Sequence, residues 1–300
     1  MTPQNVGPQP VHTPVLVKEV VEALAVASAG AIIDCTVGEG GHTEAILNAA
    51  PDCVVIGLDL DPAALAIAKE RLSGHGDRVR LVNASYTTLA EQARFLEEIS
   101  VMGVLLDLGL SSLQLEGEER GFSFQRNAPL DMRFGPDDDL TADDVVNRYT
   151  ERDLAWVIHE YGEEPRARRV ARAIVQRRPI RGTEHLAEVV QGALGRRGRI
   201  HPATRTFQGI RMEVNHEVDA IKTALAAAAE TLHPGGRLVV ISYHSIEDRL
   251  VKTTLRESTV LKALTKKPIT PSGEEVALNA RSRSARMRTA ERLDEGTAFR

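Results

Sequence analysis

Apolar positions follow two rhythms along this chain. Short apolar runs, AII before Asp34, CVVIGL, VRLV, VMGVLL and RLVVI, have the length and β-branched content of buried strands. Between them apolar residues recur at three- and four-residue spacing, as in VKEVVEAL, where Val17, Val20, Val21 and Leu24 share one helical face, and in PAALAIAKERL and TTLAEQARFLEEI. Strands and helices in alternation predict a parallel sheet covered by helices. The alternation stops after Leu115. About a hundred residues follow in which helical patterns dominate: TADDVVNRY and TERDLAWVIHEY, each opened by a Thr-x-x-Asp capping box, then PRARRVARAIVQRR and TEHLAEVVQGAL. The earlier rhythm returns with NHEVDAIKTALAAAAETL, for which Asn215 is the expected N-cap and Pro234-Gly235-Gly236 the stop, and with the strand RLVVISYHS. A helix, IEDRLVKTTLRE, then precedes a loop and an arginine-rich tail that reads as a last strand or hairpin. The expected organisation is a disordered start, 1–11; a discontinuous α/β domain, 12–115 and 212–300; and an inserted, mostly helical domain, 116–211.

The first strand enters a glycine loop, Gly38, Gly40 and Gly41, and leaves on a helix. The second strand ends in Asp59, about twenty residues past the loop, where an acid holds the ribose of a nucleotide-type cofactor. Its neighbour Asp61, before Pro62, reads as a helix N-cap, which leaves Asp59 for a ligand. A dinucleotide fingerprint needs a third glycine, and that position holds Thr43. No basic residue stands in the loop to favour phosphate. S-adenosylmethionine suits these residues better than a nicotinamide cofactor: it offers a ribose to Asp59 and a zwitterionic end to the loop backbone and Asp34, and it carries no phosphate.

Composition sets bounds on the partner. The chain has 300 residues, 42% of them hydrophobic and 26% charged, with a formal net charge of −5. These are the proportions of a soluble globular protein, and with no long apolar stretch or signal peptide the expected location is the cytoplasm. The two cysteines, Cys35 and Cys53, fall in strands and read as buried small side chains, so no metal, disulfide or cysteine nucleophile is expected. The charge is segregated. Seven arginines and no acid lie between Arg166 and Arg181, five arginines and no acid between Arg196 and Arg211, and four more between Arg281 and Arg288, whereas acids gather in EGEE and DDDLTADD. Such runs make local positive fields that suit a phosphate backbone in spite of the acidic total.

Several strings converge on one family: HTPVL, TVGEGGHT, DLGLSS followed by Gln114, GFSF with DMRF, FQGIR with NHE, SYHSIEDR and RSARMR. From His12 to the tail the chain resembles the bacterial RsmH or MraW family of methyltransferases, which modify the N4 amino group of a cytidine in the decoding region of 16S ribosomal RNA. The resemblance implies a Rossmann-like, class I S-adenosylmethionine-dependent methyltransferase sheet with a helical insertion, and the 30S ribosomal subunit as substrate. It carries cofactor contacts onto Gly40, Gly41, His42, Asp59, Tyr86, Asp107 and Gln114. The family often has phenylalanine where Tyr86 stands, and an aromatic edge for adenine survives that change.

The residues agree for most of these positions. Asp107 ends the fourth strand and Tyr86 follows the third, and open α/β sheets bind ligands beyond the carboxyl ends of their strands. A cytosine amino nitrogen is a weak nucleophile, so the enzyme has to align it with the methyl donor and accept its proton; no covalent intermediate is needed. The stretch after strand four, Asp107-Leu108-Gly109-Leu110-Ser111-Ser112, lacks the Pro-Pro-aromatic sequence usual in amino-methyltransferases. Asp107, Ser111, Ser112, Tyr243 and His244 are the candidate catalytic groups, and Asp107 is free at this stage to serve cofactor, base or both. Phe122 and Phe124 suit either a domain seam or a nucleotide stack. Three other readings stay open: a nicotinamide oxidoreductase, a non-catalytic RNA-binding factor of ribosome assembly, and a methyltransferase acting on another polyanion. A homo-oligomer is compatible with the sequence.

Overall fold

The computed structural model describes residues 14–24, 30–96, 99–111, 113–114, 120–136, 139–195 and 201–294. The expected disordered start, 1–11, lies outside the described residues. The chain forms two compact units, one made of residues up to Gly109 together with Lys222 onward, the other Leu110–Ile221. These divisions differ from the expected 115/116 and 211/212. Residues 211 and 212 lie inside the helix Ala203–Val214, which belongs whole to the second unit, and the chain passes from one unit to the other within the next helix, Glu217–Thr231.

The first unit is built on a sheet of β1 (Gly30–Asp34), β2 (Cys53–Asp59), β3 (Val79–Asn83), β4 (Val101–Asp107), β5 (Arg237–Ser242), β6 (Leu261–Ala263) and β7 (Arg286–Arg292). Their order is β3-β2-β1-β4-β5-β7-β6. β1 to β5 pair in parallel, and β7 runs antiparallel between β5 and β6. This is the Rossmann-like α/β sheet expected from the alternation, and the arginine-rich tail is its last strand. The order reverses between β1 and β4, the point at which such sheets open a ligand crevice. Helices α1 (Val17–Leu24), α2 (Gly41–Ala49) and α3 (Pro62–Arg71) place Val20, Leu24, Ile46, Leu47 and Ala68 against Ile32, Val55, Leu105 and Val239. Asp61 caps α3 as expected, its side chain accepting the Ala63 N–H at 3.0 Å. The helix expected over TTLAEQARFLEEI is shorter. Only Leu89–Ala93 (α4) is α-helical, flanked by 3-10 turns at Tyr86–Thr88 and Arg94–Leu96.

The second unit is helical: α5 (Ala142–Arg148), α6 (Glu151–Glu160), α7 (Ala167–Arg177), α8 (Thr183–Leu194) and α9 (Ala203–Val214). Thr141 and Thr150 cap α5 and α6, each accepting the backbone N–H of the aspartate three residues on. Val145, Leu154, Ile158, Val170, Ile174, Leu186, Val190 and Ile210 form its core. The chain returns to the first unit along α10 (Glu217–Thr231), and α11 (Ser245–Glu257) and α12 (Gly273–Leu278) follow β5.

Two expectations change in the helical unit. Asn215 is not the N-cap of α10. It ends α9, its carbonyl oxygen accepting the Phe134 N–H at 2.7 Å and its amide donating to the Met132 and Arg211 carbonyls, each at 2.8 Å. Phe122 and Phe124 find partners inside their own unit: Phe122 stacks on Phe134 at 5.8 Å, and Phe124 meets Phe207 edge-on at 5.0 Å. With the buried Arg211–Glu217 pair, bonded through two nitrogens at 2.7 and 2.8 Å, DMRF, FQGIR and NHE prove to be one interlocked structural knot. Among the described residues no helix is long and apolar enough to cross a membrane.

Candidate functional site

Three strands of the parallel sheet end on a carboxylate at the same edge: β1 on Asp34, β2 on Asp59 and β4 on Asp107. The glycine loop lies beside them. Gly38 and Gly40 have φ of 50° and 83°, a left-handed backbone that L side chains rarely adopt. At Gly41 a Cβ would stand 2.6 Å from Pro14 Cγ, so Pro14 closes on the start of α2 only because the residue is glycine. Asp59 Oδ2 accepts the Gly38 N–H and Oδ1 the Asp61 N–H, each at 2.9 Å, which fixes the carboxylate at the loop mouth. Burial first of all pushes its pKa up to about 6. Asp34 does not take the role expected of it. It is buried, with Oδ2 accepting the Thr43 hydroxyl at 2.7 Å and Oδ1 the Thr36 N–H at 3.2 Å, so it braces the loop from below rather than meeting a ligand. Thr43 is thus the partner of Asp34, which explains a threonine where a dinucleotide site has its third glycine.

Asp107 gathers the second half of the site. Tyr243, just past β5, donates its hydroxyl to Oδ1 at 2.8 Å, and His42 Nδ1 stands 3.6 Å from Oδ2. Gly109, at φ 109°, leaves room for the Tyr243 ring, which a Cβ there would meet at 2.9 Å. Burial pushes the Asp107 carboxyl up to about 6, with Asp34 and Glu247 adding to it while His42 and the Tyr243 hydrogen bond oppose it. Burial, then Asp107 itself, holds the Tyr243 phenol well above its ordinary range, so it is a donor at neutral pH. His42 is buried and reaches inward with its side chain: its Nε2 is 2.8 Å from the Val15 carbonyl oxygen.

His244 is expected among the catalytic groups, and the structure gives it another task. It is the N-cap of α11, its Nδ1 accepting the Glu247 N–H at 3.4 Å while its Nε2 stands 2.9 Å from Glu247 Oε1. Glu247 Oε2 in turn accepts the N–H groups of Tyr243 and His244. With Nδ1 engaged by the Glu247 N–H, His244 serves as a helix cap beside Tyr243.

The remaining candidates are spread more widely. Tyr86 is half-buried at the head of the 3-10 turn after β3, three residues past the strand's last residue, Asn83. Ser111 and Gln114 belong to the helical unit, where they cap one another: the Ser111 N–H donates to Gln114 Oε1 at 2.9 Å and the Gln114 N–H to the Ser111 hydroxyl at 3.1 Å. The Ser111 hydroxyl is therefore first a local cap. Ser112 lies outside the described residues. Two further residues carry no signal in the sequence. Arg71 of α3 comes to the loop, Nη1 standing 3.3 Å from where a Gly41 Cβ would be, but its Nε pairs with Glu44 at 2.8 Å. Thr36 accepts the Asp107 N–H at 2.7 Å, tying β4 to the loop after β1. Neither has a characteristic spacing, because both act across strands.

These groups fit the expected cofactor, S-adenosylmethionine. The Asp59 carboxylate is held at the loop mouth by two backbone N–H groups, and the carboxylates at the strand ends favour a cationic ligand over a phosphate. The same arrangement is matched by one family model over residues 9–293, that of the MraW methylase family. The chain belongs to the MraW methylase family. It is 50% identical to the ribosomal RNA small subunit methyltransferase H of Thermotoga neapolitana, over 95% of this chain and 97% of that one. It is 47% identical to the protein of the same name in Synechococcus elongatus, over 94% and 95%. A solved rRNA methylase from Streptococcus thermophilus aligns with 93% of this chain and 94% of its own at a TM-score of 0.44 and 12% identity. For a MraW methylase the two thiols are inert: burial raises Cys35 well above its ordinary value and pushes Cys53 up to about 11.

The arginine runs divide. In the first, Arg178 donates to the Val146 and Tyr149 carbonyls and Arg166 to that of Leu194, while Arg168, Arg169 and Arg177 are exposed. In the second, Arg211 is buried with Glu217, and 196–200 lie outside the described residues. In the tail, Arg281, Arg283 and Arg286 are exposed and Arg288 is buried.

Proposed function

We propose that this methylase transfers the methyl group of S-adenosylmethionine to the N4 amino group of a cytidine in the RNA of the small ribosomal subunit. The observation that carries the reading is the Asp107 carboxylate at the end of β4, bonded to Tyr243 and facing His42, beside a glycine loop and a fixed ribose acceptor. It is a polar, proton-accepting wall, suited to an amino nitrogen. The two cysteines, buried with raised pKa values, argue against the covalent route that ring-carbon methylation needs. The small-subunit RNA is the acceptor named for the relatives, and the exposed arginines of α7 are suited to its phosphates.

In this reading Asp59 holds the ribose, the Gly40, Gly41 and His42 backbone holds the methionine end, Tyr86 lies against adenine, and Asp107 lines the reacting end. Gln114 is the remaining contact that the family resemblance implies. The bound cofactor supplies an electrophilic methyl carbon on a sulfonium, which leaves as a neutral thioether. The chain's own residues align the amino group, keep bulk water from it and take up its proton. The helical unit, with its basic helix, is the RNA-recognition part, and the target base is unstacked to reach the site.

The test is transfer of labelled methyl to 30S subunits that lack the modification, with free 16S RNA alongside, followed by nucleoside analysis. Label in N4-methylcytidine is the expected result. Label in another nucleoside, in protein or in DNA would replace the acceptor, and cofactor binding with no transfer to any of them would make the chain an RNA-binding assembly factor.

A further inference from the structure

We propose that His42 and Asp107 form one proton-accepting pair, in which the Val15 carbonyl fixes His42 in the Nε2–H tautomer and leaves its Nδ1 lone pair as the backing for the proton that Asp107 receives. The inference rests on the reading that an amino nitrogen is methylated, and it names the acceptor of that nitrogen's proton.

Hydrogen ownership decides the tautomer. A carbonyl oxygen only accepts, so the 2.8 Å contact between His42 Nε2 and Val15 O requires the hydrogen on Nε2. In neutral His42, Nδ1 is then bare, and it faces Asp107 Oδ2 at 3.6 Å. The other Asp107 oxygen is taken, because Oδ1 accepts the Tyr243 hydroxyl at 2.8 Å. Oδ2 and Nδ1, each with a lone pair, thus stand across one gap of 3.6 Å that is wider than a hydrogen bond and closes when a proton enters it.

The tautomer is held from behind. Val15 belongs to the strap Pro14-Val15-Leu16, which lies on Gly41 and is pinned by α12, where Glu275 Oε1 accepts the Leu16 N–H at 2.8 Å. Leu16 has φ 55°, an unusual backbone for a branched side chain, and the Glu275 bond sits on that residue. The charged groups that act on the pair from each packed element are Asp34 of β1, Glu247 of α11 and, through Tyr243, Glu275 of α12. All are acids. Asp34 and Glu247 raise the affinity of the Asp107 carboxylate for a proton.

The step balances. The nitrogen that gains a methyl carbon carries one proton in excess; its N–H bond breaks, the electron pair stays on nitrogen, and an O–H bond forms at Asp107 Oδ2, hydrogen-bonded to His42 Nδ1. The pair goes from a charge of −1 to 0. With 18% of its side chain exposed, Asp107 then returns the proton to solvent.

His42 acts through Asp107 and is a positioning residue, so the test needs a readout that packing alone would not move. Nitrogen-15 NMR of histidine-labelled, cofactor-free protein is expected to show neutral His42 as the Nε2–H tautomer, with an Nδ1 resonance that moves upfield in Asp107→Asn, whose amide donates a hydrogen to that nitrogen. In parallel, His42→Gln keeps a donor for Val15 O and lacks a basic nitrogen. It is expected to lose about 100-fold in single-turnover rate on 30S subunits, with affinity for S-adenosylhomocysteine changed far less. An Nδ1–H tautomer, an Nδ1 resonance indifferent to Asp107→Asn, or a His42→Gln rate within threefold of wild type would each overturn the pair. The NMR result depends on no acceptor. A wild-type enzyme that labels a different atom would therefore sink the N4 reading, while the tautomer and its coupling to Asp107 stand or fall on the spectra alone.

Discussion

Arg288 of β7 clasps Asp248 of α11, Nε to Oδ1 at 2.7 Å and Nη2 to Oδ2 at 3.2 Å, with the arginine side chain 7% exposed. A basic tail that reads as a phosphate contact is, at this residue, part of the fold. Arg288→Ala is expected to destabilise the protein by about 1–3 kcal/mol, because it leaves the half-buried Asp248 with only the longer contact to the exposed Arg286 at 3.5 Å. Urea unfolding measures this, and RNA affinity at permissive temperature should keep its salt dependence. A destabilisation below about 0.5 kcal/mol would show that the pair contributes little to the fold.

The exposed arginines of α7 behave in the opposite way. Replacing Arg168, Arg169 and Arg177 with Gln is expected to leave stability within about 0.5 kcal/mol and to flatten the slope of log affinity against log salt by roughly 0.7 to 0.9 for each phosphate lost. Titration of 16S RNA at several salt concentrations decides it. An unchanged slope would move the RNA to another face.

Asp107 links pH to stability. Its folded pKa of about 6 lies above the ordinary 3.8, so between these values the native state binds more protons and stability falls as pH rises. The cost of burying the charge is complete above about pH 6. Asp107→Asn mimics the protonated acid, keeps an acceptor for Tyr243 and offers an amide hydrogen to His42 Nδ1. It is expected to be more stable than wild type by on the order of 1–2 kcal/mol at pH 7.5, discounted for partial solvent access, with the gain gone near pH 4. Thermal melts across this range test it, and a variant that melts with or below wild type at pH 7.5 would contradict the sign.

Cofactor affinity should share the titration of Asp59. Its pKa of about 6 means that the carboxylate proposed to hold the ribose is ionised above that pH and neutral below it. Calorimetry with S-adenosylhomocysteine is expected to show tighter binding by about tenfold at pH 7.5 than at pH 5 in wild type. Asp59→Asn should bind about 10- to 100-fold more weakly at pH 7.5, with little pH dependence, since a charged acceptor contributes roughly 1.5–3 kcal/mol. A steep pH dependence that persists in Asp59→Asn would assign the titration elsewhere.

Gly41 tests the strap. An added methyl would meet Pro14 Cγ at 2.6 Å and force residues 14–16 away from α2. Gly41→Ala is expected to cost about 1–3 kcal/mol and to expose His42. Faster hydrogen exchange at Leu16 than in wild type is the diagnostic sign, and an Ala variant with wild-type exchange would show that the strap tolerates the displacement.

Much of the site is legible from local patterns. Gly38 and Gly40 announce a special backbone because φ values of 50° and 83° need glycine, and Asp61 before Pro62 announces a cap. Asp59 and Asp107 can be placed because strands of a parallel sheet end at one edge. What escapes is contact without local spacing. Asn215 reads as an N-cap and serves Phe134, 81 residues away; His244 reads as a base and caps α11; Asp34 reads as open to a ligand and is closed by Thr43 from the next helix.

Most of the elements, the parallel sheet and the family can be read along the chain, since periodicity, caps and glycine positions are properties of neighbouring residues. Which acid braces the loop, which arginines are solvated and which are buried, and what stands on either side of His42 follow from the folded arrangement. Those outcomes depend on desolvation and on partners brought together across strands, as Val15 and Asp107 meet either side of His42, and no reading along the chain contains those distances.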